Sequence, residues 1–180
     1  MGGLGSKHRG GGGDGSGGRK SALAMLDNSH RKLEQNLAEL RRAAVAIAGG
    51  TGTEAEHDTV RDVVGFLERS VTRHEADEEL SLFPRLRGAG SIDPVLDTLA
   101  DEHLEHRRLH RRLHEIVEAW LDAPATDDHN QHLLRVVIEL EDAYRRHIEL
   151  EEREMFPAAR ALPADQLAEI EDEMQARRGR

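Results

Sequence analysis

Two histidines in this chain lie in copies of one fifteen-residue pattern. Arg73-His74-x-x-x-Glu78-Glu79-x-x-x-Phe83-Pro84-x-x-Arg87 returns 73 residues later as Arg146-His147-x-x-x-Glu151-Glu152-x-x-x-Phe156-Pro157-x-x-Arg160, with seven of fifteen positions identical. A His and a Glu four apart stand about 40° from each other on a helix, so imidazole and carboxylate reach one cation or two adjacent cations. Both copies interrupt apolar stripes: Leu67 and Val71 precede His74, and Leu140 and Tyr144 precede His147. They therefore face inward, where an ionised carboxylate is costly unless it is paired or bound to metal.

His30 and His103 complete the set. Counted from one end of a helical bundle, His30, His74, His103 and His147 each lie about 15 Å deep at the α-helical rise, so one imidazole from each helix meets at one level. A lone core histidine is ordinarily a hydrogen-bonded packing residue. Duplication and common depth argue instead for ligands. With no cysteine in the chain, thiolate zinc sites, iron–sulfur clusters and disulfides are excluded. Four imidazoles and two carboxylates suit iron or manganese better than a structural zinc site. Two ions are favoured, with Glu78 and Glu151 bridging. His30 with His74 on one ion and His103 with His147 on the other is one pairing; the spacing leaves the choice open.

The elements that position these residues are helices. Leu, Ala, Glu and Arg dominate, aromatics are 3%, and 37% hydrophobic residues in a chain of 180 suffice for one modest core. Residues 1–19 are Gly-rich and read as a disordered tail. A first helix is predicted from Ser21 to Ala48, stopped by Gly49, Gly50 and Gly52. Thr53 and Glu56 form a capping box for a second helix reaching about Arg87. Asp93-Pro94 starts a third, running to about Asp122. The break Ala123 to Asp127 precedes a fourth, ending near Phe156 and Pro157, and residues 163–177 read as a short extra helix packed on the outside. Short connections make neighbours antiparallel, so the expected fold is an all-α, up-down-up-down four-helix bundle over 20–160, with 161–180 holding the short C-terminal helix and tail.

The net charge is −10, and because the first twenty residues are basic, about −13 falls on the rest. Nucleic acid is thereby excluded as a partner. No secretion signal opens the chain and no apolar run approaches the roughly 20 residues that span a bilayer, so no membrane is expected and the cytoplasm is the default location.

Residues 21–160 resemble a hemerythrin-like (HHE cation-binding) domain. The resemblance is carried by His30, the H-x-x-x-E-E-x-x-x-F-P motif at His74, Glu102-His103, and the second such motif at His147. It implies a non-haem di-iron centre, carboxylate- and oxo/hydroxo-bridged, of the bacterial type. The metal residues are then His30, His74, Glu78, His103, His147 and Glu151, with manganese or zinc substituting in recombinant material. The implied partner is O2, peroxide or nitric oxide, with turnover left open. The alternative is an iron- or oxygen-responsive sensor without turnover, and no protein partner is identified. Oxygen-carrying hemerythrins have a His-x-x-x-His pair on the third helix and a later Asp on the fourth. Here Leu99 and Arg107 flank His103 and Glu151 stands on the fourth helix, which points away from reversible O2 storage.

Among the remaining candidates, His106 is a possible fifth imidazole, and His110 and His114 read as partners of glutamates deeper in the bundle. His8, His57, His129 and His132, in the tail or near helix starts, read as solvated. Glu75, Asp77, Glu79, Glu149 and Glu152 are expected on the solvated face, with one or two accepting a free imidazole N–H. Tyr144 reads as packed with its hydroxyl satisfied, and Trp120 as core.

Overall fold

The computed structural model describes residues 21–88, 90–122 and 126–179. The expected disordered tail at 1–19 and part of the break after Asp122 lie outside them. All regular structure among the described residues is helical. Helix α1, Ala22–Ala48, starts at Ser21, whose hydroxyl oxygen accepts the Ala24 N–H at 3.3 Å, satisfying one of the helix's orphan donors. It buries Leu26, His30, Leu33, Leu37, Leu40, Ala44 and Ile47 at steps of three and four. The chain turns away at Gly50, whose φ of 73° is left-handed backbone that a residue without Cβ enters freely.

Helix α2 covers 54–86. Glu56 accepts the Thr53 N–H at 2.7 Å to close the capping box. It is not uniform: α-helical stretches Glu54–Phe66, Thr72–Asp77 and Phe83–Leu86 alternate with π turns Leu67–Val71 and Glu78–Leu82. In these the N–H of Thr72 reaches the Leu67 carbonyl and that of Phe83 the Glu78 carbonyl, five residues back. Helix α3 is Asp93–Asp122. Helix α4 covers 127–160 as Asp127–Leu150, a π turn Glu151–Met155, and Phe156–Arg160. Helix α5 is Ala164–Ala176.

Helix α1 packs on α2 and α4, and α3 on α4 and α2, closing a helical bundle. Its apolar interior falls into two clusters. One gathers Leu33, Leu37, Leu40, Val71, Leu109, Leu140 and Tyr144; the other gathers Leu26, Leu82, Phe83, Leu99, Met155 and Phe156. Along each helix the residue separating the clusters is polar. His30 stands between Leu26 and Leu33, His74 and Glu78 between Val71 and Leu82, His103 between Leu99 and Leu109, and His147 and Glu151 between Tyr144 and Met155. The expected common level is thus a polar layer across the core.

Helix α5 packs on the bundle through one face. Ile170 and Met174 are fully buried in the second cluster. Arg177 and Arg178, just past its end, pair with Asp77 on α2. Among the described residues no helix is long and apolar enough to cross a membrane.

Candidate metal centre

None of the six residues His30, His74, Glu78, His103, His147 and Glu151 exposes more than 4% of its surface. The structure brings all six together as two overlapping quartets, His30, His74, Glu78 and Glu151, and Glu78, His103, His147 and Glu151, in each of which the donor atoms lie within 4.8 Å of one another. Helices α1 and α2 bring two imidazoles to one quartet, α3 and α4 two to the other, and Glu78 and Glu151 belong to both. Glu151 approaches His30 Nε2 at 2.7 Å and His147 Nε2 at 2.8 Å. Glu78 lies 3.4 Å from His74 Nε2 and 3.3 Å from His103 Nε2.

Three of the four outer ring nitrogens meet carboxylates. His103 Nδ1 lies 2.8 Å from Glu79 and His147 Nδ1 2.8 Å from Glu102; His30 Nδ1 is 3.4 Å from the half-exposed Glu152. A carboxylate accepts, so the Nδ1–H donates, and in the neutral imidazole each Nε2 turns its lone pair inward. His103 Nε2 and His147 Nε2 face each other at 3.1 Å, a contact that in the metal-free layer needs a proton on one of the two. Both oxygens of Glu78 and of Glu151, and His30 Nε2, are buried without a hydrogen bond of proper geometry, despite their short approaches. Buried polar atoms are ordinarily satisfied. Convergent, unsatisfied lone pairs of nitrogen and oxygen are what a cation uses, so the residues present fit a metal cofactor.

In the metal-free layer protons stand in for positive charge. Burial lowers the His147 pKa, but the Glu151 charge and the Glu102 hydrogen bond outweigh it and push it up to about 10. Burial raises Glu78 well above the carboxylate range, and the Glu151 charge adds to this. Glu151 is held well below that range by His147 and His30 despite its burial. Burial, with the neighbouring imidazoles, takes His74 down to about 3. Two carboxylates and four imidazoles in one dry layer cannot all take their ordinary charge states.

Several expectations change. Glu75 and Asp77 are buried rather than solvated: Glu75 receives Arg107 at 2.9 Å, and Asp77 is neutralised by Arg177 and Arg178. Glu79 takes the anticipated role of accepting an imidazole N–H. Glu102, which accepts from His147, was not singled out for that; its only sequence signal is adjacency to His103. His106 is buried, with Nδ1 3.5 Å from Glu75 and neither ring nitrogen in a hydrogen bond. It joins neither quartet and stacks on Tyr144 with ring centroids 3.9 Å apart. His110 meets Tyr144 Oη at 2.8 Å rather than a glutamate, which satisfies the Tyr144 hydroxyl. His114 does meet one, Glu68 at 2.8 Å. Trp120 is only partly buried at the edge of the core.

Two comparisons bear on this arrangement. Residues 21–175 match the family described as Hemerythrin HHE cation binding domain. An uncharacterized protein of Haemophilus influenzae is 28% identical over 158 residues, covering 87% of this chain and 89% of its own length.

Proposed function

The chain belongs to the hemerythrin HHE cation-binding family, and from that premise we propose that it is a non-haem di-iron protein that binds or reacts with O2, peroxide or nitric oxide. His30 and His74 hold one iron, His103 and His147 the other, and Glu78 and Glu151 serve both, inside an antiparallel up-down-up-down bundle. The observation that carries this reading is the sharing of both buried carboxylates between two imidazole pairs. A single-ion site has no use for the second pair, whereas two cations a few ångströms apart need anionic charge between them. Bound iron supplies redox equivalents and an electrophilic centre for the small ligand. The chain supplies the rest: Glu79 and Glu102 fix tautomer and ring orientation at His103 and His147, and the apolar clusters on both sides keep water away.

Metal analysis after anaerobic ferrous loading tests this. About two irons per chain are expected, with a clear loss in His30→Ala, His74→Ala, His103→Ala and His147→Ala. A parent chain that binds no more iron than these variants ends the reading.

A second reading, an iron- or oxygen-responsive sensor without turnover, is favoured by the position of the polar layer between the two apolar clusters, because metal occupancy there is tied to folding. Peroxide consumption by the loaded protein disfavours it. A large metal-dependent rise in Tm without consumption supports it.

A further inference from the structure

Three of the four inward imidazoles carry a carboxylate on the outer nitrogen: His103 has Glu79, His147 has Glu102, and His30 has Glu152. His74 does not. Its Nδ1 is buried without a hydrogen-bond partner, while its Nε2 faces Glu78. Outer contacts of this kind set the tautomer and basicity of a metal-bound imidazole, and an N–H left without an acceptor in a dry setting is costly.

His74 also lines a cavity of about 560 Å³ formed by α1, α2 and the residues after α5. That volume is in the range of small-molecule sites. In a chain of net charge −10, its charged lining is wholly cationic: Lys32, Arg73 and Arg178, besides His74 itself. Arg178 is committed to Asp77. Lys32 and Arg73 are exposed and have no ion-pair partner among the described residues. Of the four inward imidazoles, the one lacking an acceptor on its outer nitrogen therefore stands at the wall of a cavity whose charged lining is cationic and holds no acid.

We propose that this cavity binds a small oxyanion, a carboxylate or an inorganic ion such as nitrite or phosphate, with one oxygen accepting the His74 Nδ1–H and the charge held by Lys32 and Arg73. The bound anion does for His74 what Glu79 and Glu102 do for His103 and His147. Through that hydrogen bond, an exogenous anion adjusts one ligand of the metal centre. This rests on the reading that His74 Nε2 faces a cation, which leaves the proton on Nδ1 as a donor; charge-assisted bonds of this type are about twice as strong as neutral ones.

Calorimetric titration of acetate, nitrite and phosphate, at constant ionic strength in chloride, into the ferrous-loaded and metal-free full-length chain tests the proposal and separates carboxylate from inorganic ligands. Saturable binding of at least one oxyanion is expected, weakened about tenfold or more, or 1.4 kcal/mol, in Lys32→Gln/Arg73→Gln at unchanged iron content. In histidine-labelled, zinc-loaded chain, the same anion is expected to shift the His74 Nδ1 resonance more than those of the other three imidazoles. No saturable oxyanion binding, or an affinity unchanged in the double variant, overturns the proposal while leaving the metal reading intact. An empty metal analysis of the parent chain counts against the metal reading. Oxyanion binding to the metal-free chain that still depends on Lys32 and Arg73 then supports the cavity assignment on its own.

Discussion

Glu102 sits beside His103 in the chain yet serves His147, 2.8 Å away on the neighbouring helix. Replacing it by Gln keeps the shape but turns a charged acceptor into a neutral amide. Outer-contact changes of this kind cost about 10–100-fold in metal affinity, so Glu102→Gln is expected to lose iron to a competing chelator at correspondingly lower chelator concentration, whereas exposed Glu149→Gln is not. Of the six inward donors, His74, Glu78, His147 and Glu151 were legible because duplication made an accidental His-x-x-x-Glu improbable, and His30 and His103 because they share their depth. The residues behind them were not, since which glutamate meets which imidazole depends on the register between helices. Glu75 and Asp77 show the same limit: their cationic partners, Arg107 and Arg177, stand 32 and 100 residues away. Helical periodicity has no access to such a distance.

At the level of elements, the helices and the starts at Ser21 and Thr53 followed from local chemistry, but the three π turns did not appear in the periodicity reading. Two of them begin at Glu78 and Glu151 and lead into Phe-Pro. Pro84 and Pro157 have no N–H, and in a regular α-helix their rings would press on the carbonyl four residues back; a turn closed five residues back relieves this. A trace was present all the same. Glu78, Leu82 and Leu86, like Glu151, Met155 and Ala159, are buried at consecutive steps of four, a spacing that walks round an α-helix by about 40° per step and stays on one face only if the helix widens. The turn at Leu67–Val71 has no proline, and nothing in its sequence accounts for it. Helix α5 was found but its anchorage was not. With Asp77 fully buried, Arg177→Gln/Arg178→Gln leaves an uncompensated charge, expected to cost about 3–5 kcal/mol and to be read as a lower urea midpoint. Asp77→Asn, which removes the charge itself, is expected to cost less.

Across the whole molecule, a polar layer between two apolar clusters makes stability depend on what the layer holds. Each cation at a hundred times its Kd adds about 2.7 kcal/mol, so chelation is expected to lower Tm by roughly 5 °C or more, measured by scanning calorimetry. The metal-free chain has its own pH signature. Burial takes His74 down to about 3 and His110 to about 4, and lowers His103 and His106 too. The unfolded chain binds more protons at these sites, so stability is lost as pH falls below about 6.5. Raised carboxylates at Glu75 and Glu78 act in the opposite sense but are outnumbered. His147, raised to about 10, and His30, also raised, add stability that is present below about 6.5 and drains away as pH climbs toward 10. A maximum of Tm near pH 6.5 is expected for metal-free protein; a Tm that keeps rising to pH 9 contradicts this account of the layer. The quartets are also divided by hairpin. Residues 21–86 own both imidazoles of one and 93–160 both imidazoles of the other, while each borrows a carboxylate across the divide. Severed at the connection between 86 and 93 and produced as separate polypeptides, the two pieces are each half of a clasp, and their reunion is expected to wait for the ion that fastens it.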